Sequence, residues 1–157
     1  MMPINLNGLM NEGLGRASVD GHTQVQGRHS FEHERGIALR KRLWGLRRSR
    51  RRLCTLGQKQ LVTRYTGQRA VSIEDIWGTE NRADEFDVDF HPIAEHLEER
   101  WVHVWMAYAQ GVPLPPVELI EKDGGYYVRD GHHRISVARA MGYETIEAVV
   151  SQIMEIA

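Results

Sequence analysis

The chain has 157 residues, an apolar share of 41%, one cysteine and a formal net charge of −1. These values fit one modest core with an extension, and they exclude a disulfide framework or an all-cysteine metal centre. The small net charge conceals a strong polarity: residues 35–69 carry +12 with no acid, residues 70–157 carry −11, and residues 1–34 carry −2.

No stretch approaches the roughly 20 apolar residues that a membrane helix requires. The opening residues Met1–Gly15 lack the basic-then-apolar order of a secretory signal. The lone Cys54 suits a reducing, cytoplasmic setting. The arginine run before it favours a thiolate, but no base or second cysteine accompanies it, and it reads as an incidental thiol.

In chain order, residues 1–34 are polar and show no sustained period, which reads as a flexible leader unable to bury enough apolar area to offset ordering entropy. Within it, His29-Ser30-Phe31-Glu32-His33 matches the H-x-x-E-H pattern of one zinc protease class. That motif needs a stable helix and a third ligand, and it reads as a chance match. Residues 35–70 form a basic helical extension. Over 36–53 the spacing predicts a helix with Leu39, Leu43, Leu46 and Leu53 near one face, Trp44 beside them and Gly45 as a weak point. Residues 54–70 are mixed and turn-like.

The cations of this extension are Arg40, Lys41, Arg42, Arg47, Arg48, Arg50, Arg51 and Arg52. Such a run releases counterions from phosphates and binds DNA or RNA without base contacts, and Trp44 can stack on bases. Three other readings stand beside it: pairing with the −11 remainder, a solvated helix face, or an anionic membrane surface.

The third unit spans residues 71–157. Val71, Ile73 and Ile76 mark one short element. The acids Asp84, Glu85, Asp87 and Asp89 follow; they lack a calcium loop's glycine and closing glutamate, and read as a solvated loop. Pro92 suits a first helical turn. Ile93, Leu97, Trp101, Val104, Trp105 and Tyr108 then make one helical stripe, ended by Gly111 and Pro113 and assigned to the core. Val117, Leu119 and Ile120 predict a strand, Asp123-Gly124-Gly125 a hairpin turn, and Tyr126–Val128 the return strand. Ile135, Val137, Ala138 and Met141 predict a short helix stopped at Gly142. Thr145–Val150 predicts a last strand, with Ser151–Ala157 trailing off. The fold class is α/β of the α+β kind, a small mixed sheet with packed helices.

This order places Asp130-Gly131-His132-His133-Arg134 where a strand ends and a helix begins. A first helical turn has unpaired N–H groups and positive dipole potential. Gly131 admits close approach to the backbone, Arg134 supplies a planar fork of donors, and His132 and His133 can donate as well. The chemistry selected is anion binding, phosphate above all. Asp130 as an N-cap, with the histidines as capping or packing groups, is the alternative.

The stretch Leu114–Val150 resembles the ParB/sulfiredoxin-like domain. Asp130-Gly131-His132-His133-Arg134 stands where sulfiredoxins carry Gly-Gly-Cys-His-Arg, a loop that holds ATP phosphates, and where ParB proteins carry Gly-Glu-Arg-Arg, a loop that binds CTP. Leu114-Pro115-Pro116-Val117 is similar to the proline-containing lead-in, and Ala138–Gly142 to the small-residue helix and its glycine stop. The resemblance implies phosphate contacts at Gly131, His133 and Arg134; Asp130 and His132 are added by position. His132 stands where sulfiredoxins have their nucleophilic cysteine, so sulfinic-acid reduction is not expected.

The resulting expectation is a cytoplasmic, ParB-like regulatory or chromosome-partitioning protein. It binds CTP or ATP with Mg2+, associates with nucleic acid through Arg40–Arg52, and has a homodimer among its candidate assemblies. One alternative is a phosphotransferase or nuclease with Asp130 or His132 as general base or metal ligand. Another is an adaptor or antitoxin-like module whose basic arm grips an acidic protein.

Overall fold

The computed structural model describes residues 7–44, 54–56 and 62–154, with side chains in the first helix from Gly21 onward. The elements are helix α1 (Asn7–Leu43), strands β1 (Cys54–Thr55), β2 (Thr63–Ser72) and β3 (Ile76–Thr79), helix α2 (Glu98–Ala109), strands β4 (Val117–Lys122) and β5 (Gly125–Asp130), helix α3 (His132–Ala140) and strand β6 (Thr145–Ile153). Single 3-10 turns at Ile73–Asp75 and Glu95–Leu97 precede β3 and α2.

One six-stranded mixed sheet has the order β1-β3-β5-β4-β6-β2. The β4–β5 hairpin is antiparallel, with Lys122 opposite Gly125 across a turn in which Asp123 and Gly124 both take positive φ. β6 runs parallel to β4, pairing Val117 with Ala148, and antiparallel to β2, pairing Val71 with Ile146. β3 runs parallel to β5. Inward residues Val71, Val117, Leu119, Val128, Ile146, Ala148 and Val150 share one core with Ile135, Val137 and Ala138 of α3, Trp101 and Val102 of α2 and Phe31 of α1.

The hairpin, α3 and α2 lie as the sequence implies, with two adjustments. α2 begins at Glu98, and Pro92 instead bridges Phe86 ahead of the 3-10 turn. β6 continues through Ile153, because β2 is long enough to pair that far.

The first half differs more. The expected leader is helical from Asn7, and α1 runs through the expected boundary at residue 34. Gly27, Phe31 and Ala38 recur at helical spacing on its buried face. A Cβ at Gly27 would lie 3.1 Å from Val102 and 3.2 Å from Trp105, so this glycine permits the close approach to α2. Phe31 meets Trp101 edge-to-face at 5.7 Å between ring centres. The Trp101 indole N–H then donates to Ser136 Oγ at 2.9 Å, tying α2 to α3.

Residues expected to be turn-like contain β1 and most of β2, and the boundary expected at residue 70 falls inside β2. β2 is an edge strand whose partners are all on β6, so its outward residues never show the apolar alternation that marks a half-buried strand. The acidic loop is also not simply solvated. Asp87 is buried and accepts hydrogen bonds from the backbone N–H groups of Asp89 and His91, both at 2.9 Å. Asp89 pairs with Lys41 at 3.0 Å and with Arg139 at 3.7 Å. Burial opposes its ionisation, but Lys41, Arg139 and His91 together outweigh that and hold its carboxyl below the usual range.

Candidate functional site

β5 delivers the chain to Gly131, which takes φ 106° and ψ 20° and forms the N-cap of α3. This left-handed conformation suits glycine. A second reason is packing: a Cβ here would stand 2.5 Å from Val117 Cγ1. The glycine is therefore required by the fold itself. The first helical bond runs from the Ile135 N–H to the Gly131 carbonyl at 3.0 Å. The N–H groups of His132, His133 and Arg134 precede it and have no intrahelical acceptor. No side chain caps them, so Asp130 is not the N-cap.

The five predicted residues do not all face the same way. His132 is buried, stacked 6.1 Å from Phe86, with Nε2 2.6 Å from Thr79 Oγ1. The Thr79 hydroxyl already accepts the N–H groups of Asn81 at 3.3 Å and Arg82 at 3.1 Å. The hydroxyl has two further partners in reach, His132 Nε2 and, at 3.4 Å, the Val128 carbonyl, and so ties His132 to the β3–β5 pair. Burial, then the charges of Arg82 and His133, push the His132 pKa down to about 4.

His133 is 6% exposed and meets Phe86 edge-to-face at 5.5 Å. Its Nε2 is buried and has no hydrogen-bond partner among the described residues. Burial, then Arg100 and Arg82, lower its pKa to about 4. Arg134 donates through Nη1 to the carbonyls of Pro115 and Pro116 and through Nη2 to Asp130 Oδ2. It thereby pins the proline lead-in to the start of α3, and Asp130 keeps a half-exposed carboxylate at the rim.

Around this turn is a cleft of about 330 Å³ lined by Arg82, Arg100, Val104, Leu114, Pro115 and residues 130–134. Arg82 and Arg100 were not singled out by sequence. Arg82 lies in the loop after β3 and Arg100 lies on α2, and only the tertiary fold brings them to α3. No local pattern marks either. The donor set is three N–H groups without an intrahelical acceptor, guanidinium groups and an imidazole nitrogen unpartnered among the described residues. It suits a phosphate group and offers one carboxylate, Asp130, toward a cation.

Of the basic series, Arg40 and Arg42 are exposed on the last turn of α1, whereas Lys41 is half-buried against Asp89. Arg47, Arg48, Arg50, Arg51 and Arg52 lie outside the described residues. Internal neutralisation is substantial: Arg35 pairs with Glu95 at 3.5 Å and Arg69 with Glu121 at 3.0 Å. His29 and His33 are helical after all, yet remain exposed on α1. Among the described residues, Asp87, Asp89 and His91 bring ligand-type atoms within 4.8 Å of one another. Those atoms are already engaged by backbone N–H groups, by one another and by Lys41.

No protein-family model matches the chain, and no curated protein matches it. Among solved structures it is similar to sulfiredoxin from Arabidopsis thaliana, at 21% identity over 54% of this chain and 84% of that one, with a TM-score of 0.41. It is also similar to a Pnob8-like ParB-N domain, at 17% identity over 59% of this chain and 32% of that one, with a TM-score of 0.38. Both similarities concern the fold alone. No described helix is long and apolar enough to cross a membrane.

Proposed function

We propose that the cleft at the start of α3 binds the phosphates of a nucleotide, CTP or ATP with Mg2+. In this reading the chain is a ParB-like regulatory protein that associates with nucleic acid through its basic segment. The observation that carries the phosphate site is His133, which lines the cleft at an uncapped helix N-terminus and whose buried Nε2 has no partner among the described residues. A buried polar atom left unpaired costs about 1–3 kcal/mol, and an anion at this position satisfies it together with the first-turn N–H groups. Arg82 and Arg100 supply charge at the rim. Magnesium would reach the site on the triphosphate, where it neutralises phosphate charge.

His132 is buried and its Nε2 is engaged by Thr79 Oγ1 at 2.6 Å, which disfavours contact of that atom with a substrate. The nucleotide-binding reading is therefore favoured over a general-base role for His132.

The test is titration calorimetry with CTP, ATP and GTP plus Mg2+ on the full chain and on Arg82→Gln and Arg100→Gln. These rim residues are preferred to Arg134→Ala, which would also release the proline lead-in. Micromolar binding weakened about tenfold or more by either change supports the site. Absence of binding by all three nucleotides refutes it.

A further inference from the structure

We infer that His133 takes up a proton when an anion enters the cleft, so that the site holds a phosphoryl or sulfate group more tightly as pH falls. This rests on the phosphate-site reading and concerns the regulation of that same site.

The geometry supplies the reasons. His133 Nε2 is enclosed and unpartnered among the described residues, and His133 lines the cleft at the uncapped first turn of α3. Each element packed around the ring presents a titratable or charged group. α2 contributes Arg100 and the turn before it His96; the loop after β3 contributes Arg82, β5 contributes Asp130, and α3 itself contributes His132. Phe86 adds an apolar neighbour, its ring perpendicular to that of His133.

With the cleft empty, burial and two guanidinium groups disfavour a charged ring, which is accordingly neutral through the physiological range. A dianion seated against Nε2 reverses both effects. It offsets the nearby cations and offers an acceptor for a charge-assisted bond, about twice as strong as its neutral counterpart. The balance is one proton from solvent, bound at a ring nitrogen of His133. The neighbouring His132 Nε2 is already engaged by Thr79 Oγ1, whereas His133 Nε2 has no partner among the described residues, so the proton goes to His133.

Sulfate is the probe, because it remains dianionic where phosphate itself titrates. Affinity of the full chain for sulfate is measured between about pH 5.5 and 8, in paired buffers of different ionisation enthalpy. The expected result is uptake of about one proton and a loss of up to about tenfold in affinity per pH unit of increase. His133→Gln should give a flat profile, and His96→Gln should keep the slope. Ring 15N shifts of His133 in the unmodified chain, with and without sulfate, read the same event without a substitution and should move to imidazolium values on binding.

Sulfate and ATP binding with no proton uptake would overturn the inference while leaving the phosphate site standing, with His133 as a neutral donor. A slope that persists in His133→Gln would overturn it too. If sulfate, CTP and ATP all fail to bind, this inference and the phosphate-site reading fall together.

Discussion

His132 and His133 are adjacent in sequence and both buried, yet they differ in one atom's fate. Thr79 satisfies Nε2 of the first, and no described group satisfies Nε2 of the second. Their shared consequence is a pH dependence of stability. Both have pKa values lowered from 6.5 to about 4, so the unfolded chain binds more protons between those values. Their contribution is complete above about pH 6.5 and is lost as pH falls toward about 4, at up to about 3 kcal/mol per pH unit for the two together. Urea midpoints measured from pH 7.5 to pH 4.5 should fall; a constant midpoint would contradict the burial of both rings. Thr79→Val leaves His132 Nε2 and two backbone N–H groups unsatisfied, and should cost about 1–3 kcal/mol by the same measurement. Gly131→Ala combines a positive φ with a collision against Val117, and should cost at least as much. The loop's position and its glycine were legible in the sequence because a strand, a breaker and a short helix follow one another locally. The burial of its histidines was not, because Phe86 and Thr79 come from segments about 50 residues earlier.

At the scale of elements, legibility followed how each element gets its order. α2 and the β4–β5 hairpin carry periodicity or turn residues within their own spans, and both were readable. α1 has little amphipathic pattern; its anchoring comes from Gly27 and Phe31 meeting α2, with Ala38 also buried. β2 is polar and at an edge, so its pairing with β6 is the main evidence of strand character. The importance of α1 is therefore testable at one position. Phe31→Ala removes a fully buried ring from the face of Trp101 and should cost about 3–5 kcal/mol, with loss of the near-ultraviolet circular dichroism of the buried indole. Full retention of stability would mean that α1 is not part of the core.

For the whole molecule, the polarity of charge seen in the sequence is partly consumed by folding, through Arg35, Lys41 and Arg69. A nucleic-acid interface built on this segment should thus use fewer cations than it contains. Binding to a DNA duplex, followed by fluorescence anisotropy against salt, should show a slope of about 0.9 per phosphate contacted. Arg40→Gln with Arg42→Gln should reduce that slope by about 2, whereas Lys41→Gln should act mainly on stability by freeing Asp89. An unchanged slope in the double variant would exclude the end of α1 from the interface.

The strand order has a further consequence for how the molecule is made. β6 follows the other five strands in the chain, yet it lies between β4 and β2. During synthesis, the earlier strands emerge with the place between β4 and the edge strand β2 unfilled, and each of those two has an unpaired edge. Only when Thr145–Ile153 arrives can β2 join the rest, across a separation of about 80 residues. The nascent chain is thus exposed to edge-to-edge association until late in translation, and a stall or truncation before Tyr143 leaves β2 without its partner strand.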